Sequence, residues 1–349
     1  MSKLRILISR PDRIGDVVLS TPIPREIKKK FPDSYVALLL KPYTRDIYLN
    51  NPYVDEIIIY DPSDRKEPFW ERVRQIRSYN FTHAIMLLPN EKINYLLFFA
   101  GIKTRIGIGH KLYQFLTFTR YVDRKKYIPL RHEADYCMDT ARKLGVETDN
   151  LDTEIFLTRE EVKKVFDLRK QFAPEGQYLI GIHASSGNSA PNWKPSEYRK
   201  LLLKLKKLGN IKIAVTDNLI ADELRDIPDV IYPNVNLSLR DSIVNFASLD
   251  LLISASTGPM HLAAALKVRT LSLFCPMTAC SPKLWGPKGN KAHIMLPLGN
   301  YCDSVCNSDP KKCTFEGANG ISSDKVYSEV LNILSVENNV TVDPFLHDF

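Results

Sequence analysis

The chain has 349 residues, of which 44% are hydrophobic and 25% charged, a composition typical of a globular protein long enough for two domains. Its apolar runs are too short to cross a bilayer and its start shows no signal peptide, so we expect a cytoplasmic protein. The net charge of +8 favours anionic partners. Because no nucleic-acid module is apparent, we expect no nucleic acid and favour a nucleotide or an acidic membrane face.

Strand-like and helical patterns alternate from the start of the chain, which predicts an α/β domain with a parallel sheet over residues 1–157. The predicted strands cover residues 4–8, 35–40, 56–60 and 84–88, and the predicted helices cover 17–31, 67–79, 92–100 and 132–144. The segment Gly107–His110 lacks the third glycine of a dinucleotide fingerprint, and no Walker A sequence occurs.

A charged helix over 159–172 and the turn Ala173–Gly176 predict a bridge and linker over 158–176. The alternation then restarts, which predicts a second α/β domain over 177–335, followed by a tail over 336–349. Its predicted strands cover 178–183, 211–216, 249–253 and 270–274, and its predicted helices cover 195–208, 220–227, 241–248 and 322–334. Two such domains joined by a short linker form a cleft, where we expect the ligand to bind.

The turn between the first strand and the first helix, residues 9–16, lies where parallel sheets place their sites. Gly15 gives a ligand close access to the backbone there. Asp16 is at the start of the helix. It is either the N-cap of that helix or a catalytic carboxylate, and the two interpretations are compatible if the carboxylate faces the cleft.

Two turns of the second domain carry the small polar residues that bind anions. The loop His183–Ser189 follows a strand and is either a phosphate site or a plain polar loop. The stretch 253–266 predicts a strand, a tight turn and a helix, with Gly258 in the turn and Pro259 at the first helical position. The free N–H groups of such a helix start suit phosphate, although an ordinary α/β turn has the same pattern.

Six cysteines are present, and we expect them to be reduced in the cytoplasm. Cys302, Cys306 and Cys313 are spaced C-x3-C-x6-C, which allows three ligands of a metal site. No fourth ligand is obvious and the spacing is not a standard zinc pattern, so free thiols are the favoured interpretation.

Three segments in this order resemble the bacterial ADP-heptose:lipopolysaccharide heptosyltransferase family, which is glycosyltransferase family 9. The segments are Ile14–Pro22, Gly181–Gly187 with Trp193, and Ser256–Ala265, and the likeness extends from Ile6 to about Leu334. The resemblance implies a GT-B fold, with two Rossmann-like parallel-sheet domains facing across a cleft. It also implies an inverting transfer of heptose from ADP-heptose onto a lipopolysaccharide core or related lipid-linked glycan, by a monomer peripheral to the cytoplasmic surface of the inner membrane.

The same resemblance implies roles for individual residues. Asp16 would be the general base, with its pKa lowered by its position at the start of a helix. Arg10, Arg13 and Gly15 would bind the acceptor. The residues implied to bind the donor nucleotide-sugar are Ser185, Ser186, Gly187, Asn188, Ser189, Lys194, Glu223, Ser256, Thr257, Gly258, Pro259, Met260 and His261. No D-x-D motif is evident, so we expect no metal and no cofactor, with helix N-termini and basic side chains binding the diphosphate.

The chain departs from the family pattern at two positions. Ser256 stands where the family often has an acidic residue, and Pro191 stands where many members have a basic one. Both departures bear on which donor sugar is bound more than on the fold. Two alternatives therefore stay open: a sugar-nucleotide epimerase of the same fold, and a non-catalytic module that binds a nucleotide or a glycan.

Overall fold

The computed structural model describes residues 3–61, 68–124, 127–187, 190–305, 309–310 and 312–337, except for the side chains of 336 and 337. Asn188, Ser189, Cys306 and nearly all of the predicted tail lie outside the described residues. No helix of the described ranges is long and apolar enough to cross a membrane.

The first sheet has six parallel strands in the order β3-β2-β1-β4-β5-β6. They are β1 (Arg5–Ser9), β2 (Tyr35–Leu40), β3 (Glu56–Ile59), β4 (His83–Met86), β5 (Thr104–Ile108) and β6 (Arg120–Val122). The helices are α1 (Ile14–Val18), α2 (Pro22–Lys30), α3 (Phe69–Ser78), α4 (Glu91–Phe99), α5 (Leu112–Leu116) and α6 (Glu133–Arg142), with a 3-10 helix at Pro42–Ile47. The central strands are buried on both faces, which explains their continuous apolar runs.

The second sheet also has six parallel strands, in the order β12-β11-β10-β7-β8-β9. They are β7 (Tyr178–His183), β8 (Ile211–Val215), β9 (Val230–Ile231), β10 (Leu251–Ala255), β11 (Arg269–Leu273) and β12 (Ala292–Met295). The helices are α7 (Arg159–Phe172), α8 (Pro195–Leu205), α9 (Leu239–Ala247), α10 (Gly258–Ala265), α11 (Pro282–Trp285), α12 (Tyr301–Ser304) and α13 (Ser323–Glu337), with 3-10 helices at Asp222–Leu224 and Thr278–Cys280. Counted from its own first strand, this sheet repeats the order of the first, which is the Rossmann order.

The predicted single helix 17–31 is wrong, because the chain forms α1 and α2 there. The hydroxyl groups of Ser20 and Thr21 donate to the carbonyl oxygens of Val17 and Val18, and Pro22 has no N–H to continue the helix. This break leaves α1 as a single short helix that points its start into the cleft.

The predicted helix 220–227 is also wrong, because only the 3-10 helix Asp222–Leu224 forms there. Asp226 has a left-handed backbone with φ of 54°, and Pro228 follows, so an α-helix cannot run through this segment. The strands β5, β6, β9 and β12 were not predicted. All four lie towards the edges of the sheets, and β9 is only two residues long.

Apolar packing continues from one domain into the other. Val17 and Val18 of α1 belong to the same buried cluster as Leu262 and Ala263 of α10. A polar contact joins the domains elsewhere, where Arg240 at the start of α9 donates from its backbone N–H to Oδ2 of Asp46 at 3.1 Å. The two walls of the cleft are therefore attached to each other at its base.

Candidate active site

The site lies where the starts of α1 and α10 meet, one from each domain. Each helix has a glycine at the contact. A Cβ on Gly15 would lie 2.9 Å from Cδ2 of His261, and a Cβ on Gly258 would lie 3.1 Å from Cβ of Ile14. A Cβ at position 15 would therefore force the largely buried ring of His261 to shift, and glycine permits the close approach without that shift.

A cleft of about 550 Å³ opens above this contact and is lined by residues of both domains. Eleven of the residues implied by the resemblance line it: Arg13, Gly15, Asp16, Ser185, Ser186, Gly187, Ser256, Thr257, Gly258, Pro259 and His261. The structure thus brings together three sequence motifs that are far apart in the chain.

Four other implied residues do not line the cleft. Arg10 is buried behind Asp16, and Met260 is fully buried on the inner side of α10. Lys194 points to Glu316, with Nζ 2.7 Å from Oε2. Glu223 is exposed on the 3-10 helix Asp222–Leu224 and does not reach the cavity.

Asp16 is the third residue of α1, whose N-cap is Arg13, so the N-cap interpretation of Asp16 is wrong. Its carboxylate instead accepts a hydrogen bond from Nη2 of Arg10 at 3.0 Å. Arg10 also donates to Oε1 of Glu133 at 3.3 Å, and Arg124 donates to the same oxygen at 2.8 Å. Oδ2 of Asp12 lies 3.8 Å from Nη2 of Arg10, so two arginines and three carboxylates form one network. Arg10 and Glu133 are almost completely buried within it.

Burial raises the pKa of Asp16 from its ordinary 3.8 to about 6. Arg10 opposes this shift, whereas Asp12 and Glu133 add to it. The expectation that the helix start lowers this pKa is wrong. Since α1 has only five residues, the partial charge at its start is outweighed by the desolvation of the carboxylate.

Two histidines near the contact are held neutral. Burial lowers the pKa of His261 to about 3 and that of His132 to about 4. Nε2 of His132 donates to the carbonyl oxygen of Gly286 at 2.8 Å, while Nδ1 of His261 is buried and has no partner among the described residues. His261 can therefore offer a ligand a hydrogen bond but not a positive charge.

The loop after β7 is held in shape by Asp217, which follows β8. Its carboxylate accepts hydrogen bonds from the backbone N–H groups of Ala184 at 2.9 Å and Ser185 at 2.8 Å. Oγ of Ser185 lies 3.1 Å from Nε2 of His183. Because Asp217 is almost completely buried, it positions the loop and is not available to a ribose.

The start of α10 offers unsatisfied polar groups to a ligand. Thr257 is the N-cap residue, yet its hydroxyl makes no capping bond and is buried with no partner in the part of the chain that the structure describes. The first N–H groups of α10 also lack partners within the helix. A hydroxyl and amide groups gathered at one helix start suit an anion such as a phosphate.

A second cavity of about 820 Å³ lies in the first domain, at the carboxyl ends of β1, β2 and β4. It shares Arg13 and Tyr43 with the cleft, so the two spaces adjoin each other. Its wall includes the cations Lys41 and Lys92. The two adjoining cavities can hold two ligands, and Asp16 lines the cleft but not the second cavity.

Sequence analysis missed several residues of the site. Tyr43 follows β2, so the rule that sites lie beyond the carboxyl ends of parallel strands could have found it. Asp217, which follows β8, is placed where the sequence suggests a ribose contact, but its burial excludes that role. No sequence signal marks Trp285 or Cys280. The missed residues that line the cleft are Ile14, Tyr43, Ala190, Ala279, Cys280 and Trp285.

The described cysteines form no disulfide with one another; they are Cys137, Cys275, Cys280, Cys302 and Cys313. No group of three potential metal ligands occurs within the described ranges. Cys306 lies outside them, so the hypothesis of a three-cysteine site stays a prediction.

A sequence profile described as glycosyltransferase family 9 (heptosyltransferase) matches residues 69–313. The chain belongs to this family and is a glycosyltransferase. A putative glycosyltransferase of Haemophilus influenzae is 26% identical over 81% of this chain and 86% of its own. Lipopolysaccharide heptosyltransferase 2 of Salmonella typhimurium is 22% identical over 96% of this chain and 99% of its own.

Solved structures show the same fold. The glycosyl transferase family 9 protein of Veillonella parvula has a TM-score of 0.78 at 21% identity, covering 95% of this chain and 97% of its own. The ADP-heptose lps heptosyltransferase II of E. coli has a TM-score of 0.71 at 18% identity, covering 97% of this chain and 100% of its own. The predicted GT-B fold is confirmed.

Proposed function

We propose that this glycosyltransferase transfers a heptose from ADP-heptose, with inversion, to a lipid-linked saccharide of the lipopolysaccharide core. The observation that supports this most directly is the position of Asp16. This carboxylate belongs to the first domain, yet it lines the same cleft as the anion-binding start of α10 in the second. A base on one wall and a site for a leaving diphosphate on the other suit an inverting displacement.

The donor side is formed by the second domain. The hydroxyl of Thr257 and the amide groups at the start of α10 would bind the diphosphate, together with the loop that begins at Ser185. The raised pKa of Asp16 suits a base that must be ionised near neutral pH and still accept a proton.

In the proposed step, the acceptor hydroxyl oxygen attacks the anomeric carbon of the donor from the face opposite the diphosphate. Its proton passes to Oδ of Asp16 while the bond between the anomeric carbon and the phosphate oxygen breaks. ADP leaves with the bonding electrons, and the donors at α10 stabilise the developing negative charge. The acceptor would occupy the cavity of the first domain, whose wall offers a saccharide both cations and carboxylates, namely Arg13, Lys41, Lys92, Asp12 and Glu91.

Nucleotide binding tests the donor assignment. At about a hundredfold excess over its Kd, we expect ADP without added metal to raise the Tm by roughly 3–6 °C, and UDP, GDP and CMP to raise it less. The variant Thr257→Val should lose much of this shift, whereas Thr104→Val on β5 should keep it. A preference for another nucleotide would exclude ADP-heptose as donor. No shift with any nucleotide would favour the non-catalytic alternative.

Product analysis then separates transfer from epimerisation. With ADP-heptose and a lipopolysaccharide-core acceptor, we expect a heptosylated acceptor and free ADP in equal amounts. Without acceptor, we expect the donor to remain unchanged apart from slow hydrolysis. An altered nucleotide-sugar formed without acceptor would instead identify an epimerase.

The pH dependence tests Asp16 as the base. Since the ionised carboxylate is the active form, we expect kcat/KM to fall tenfold per unit of pH below about 6, the pKa that burial gives Asp16. If Asp16 were exposed, this acidic limb of the pH profile would lie near the ordinary pKa of an aspartate, about two pH units lower. An acidic limb at that lower position would contradict a buried Asp16 as base.

A further inference from the structure

The segment of residues 111–121, here called the α5 surface, exposes an unusual number of large apolar side chains. It comprises Lys111, helix α5, the turn after it and the start of β6. The exposed fractions range from 52% to 82% for Leu112, Phe115, Leu116, Phe118 and Tyr121. Contiguous apolar side chains at this density mark a surface that contacts something.

The side chains that the same segment buries are polar. Asn94 of α4 donates from Nδ2 to Oγ1 of Thr117 at 2.5 Å and accepts from Oγ1 of Thr119 at 2.9 Å. Gln114 donates to the carbonyl oxygen of Ile108 at 3.1 Å. The pattern is therefore the reverse of an ordinary surface helix, which buries its apolar face. The buried hydrogen bonds hold the apolar side chains outward.

Phe118 is the most exposed of these side chains, and its backbone is left-handed with φ of 53°. Glycine or asparagine adopts this conformation at lower cost than phenylalanine. Neither the fold of the turn nor its packing calls for an aromatic residue at this position. The side chain itself is the feature that needs an explanation.

Charge identifies the kind of partner. Residues 103–131 include eight lysines and arginines but one acidic residue, Asp123. Lys103, Lys111 and Arg120 are exposed, and no ion pair involves them among the residues that the structure describes. Exposed aromatic and leucine side chains bordered by unpaired cations are the composition that binds anionic lipid surfaces.

The position of the α5 surface agrees with this partner. Helix α5 packs on α4, and the first turns of α4 supply Glu91, Lys92 and Tyr95 to the larger cavity. A membrane at the α5 surface would therefore lie beside the cavity assigned to the acceptor.

We propose that the α5 surface docks on an anionic bilayer, with Leu112, Phe115, Leu116 and Phe118 entering the headgroup region. The choice of a bilayer as occupant rests on the proposed lipid-linked acceptor. Lys111 and Arg120 would contact lipid phosphates at the rim of this apolar patch.

Co-sedimentation of the full chain with vesicles tests the proposal. We expect binding to vesicles of phosphatidylethanolamine and phosphatidylglycerol, and much weaker binding to phosphatidylcholine alone. The double variant Phe115→Ser, Phe118→Asn should bind the anionic vesicles at least about tenfold more weakly. Lys111→Gln and Arg120→Gln should each weaken that binding roughly fivefold, with a smaller effect at high salt. Leu219→Asn, equally exposed in the second domain, is the matched control and should bind as the parent does.

The proposal is overturned if the parent chain binds no anionic vesicles or if the double variant binds them as well as the parent. It is also overturned if the parent forms a dimer that the double variant loses, because the surface would then join two copies. Circular dichroism checks that the variants fold. Vesicle binding lost by the double variant, with transfer to a water-soluble acceptor retained, supports both proposals. The same loss of binding, with no transfer by the parent to any acceptor, supports the docking surface and contradicts the proposed function.

Discussion

Replacing Asp16 with asparagine is expected to lower the rate of glycosyl transfer by about a thousandfold, the size of effect typical of a general base. The amide has nearly the same shape and can still accept a hydrogen bond from Nη2 of Arg10, but it cannot take the proton of the acceptor hydroxyl. The stabilisation of the protein by ADP should persist, because the groups proposed to bind the diphosphate belong to α10. The measurement is a steady-state rate with saturating donor.

The same substitution should not lower the thermal stability near neutral pH. A raised pKa means that the folded protein binds the proton of Asp16 more tightly than the unfolded chain does. The stability contributed by this group is thus present below its ordinary pKa of 3.8 and is lost as the pH rises through about 6. Asp33→Asn, on an exposed turn, is the control. Retained activity in Asp16→Asn would refute the assignment, and a large fall in Tm would show that the loss of rate reflects unfolding.

Replacing Glu133 with glutamine is expected to lower the free energy of unfolding by about 3 kcal/mol. The carboxylate is almost completely buried, and one of its oxygens accepts hydrogen bonds from both Arg10 and Arg124. Its loss leaves two guanidinium groups without the one carboxylate that both of them contact, with Asp16 at 3.0 Å and Asp12 at 3.8 Å from Arg10 alone. Denaturation in urea measures the change.

Glu133→Gln should also move the acidic limb of the pH–rate profile to lower pH. The negative charge of Glu133 raises the pKa of Asp16, so its removal lets Arg10 lower that pKa. The double variant Glu133→Gln, Arg124→Gln removes one charge of each sign and should recover part of the lost stability. An unchanged limb in the single variant would show that Glu133 acts on the fold alone and does not position the base.

The parts of the site that could be predicted are those in which local sequence determines local structure. The turns at Gly15 and at Gly258 each join a buried strand to a helix within a few residues, and their glycines and Pro259 are visible as patterns. Strand alternation likewise predicted the central strands of both sheets. The short edge strand β9 was missed because its two residues form no recognisable period.

The network behind Asp16 could not be predicted, because it joins residues that only the tertiary fold brings together. Arg10 and Glu133 are 123 positions apart. The pKa of Asp16 is raised by this packing. Because the packing cannot be read from the sequence, the direction of the pKa shift was predicted wrongly. The α5 surface was missed for a different reason. Apolar residues such as Leu112 and Phe115 are ordinarily assigned to a core, and only the structure shows that they face outward.

The contact between Gly15 and Gly258 has a consequence for how the cleft opens. Because the backbones of the two helices approach each other there without a side chain between the glycines, the contact can act as a pivot when the angle between the two sheets changes. Rotation moves atoms in proportion to their distance from the axis. Residues far from the pivot, such as Ser185, would move away from the opposite wall of the cleft and admit a bulky substrate. Asp16 and Thr257 adjoin the glycines, so the distance between them would stay nearly constant. Access to the cleft and alignment of the reacting groups are then governed independently.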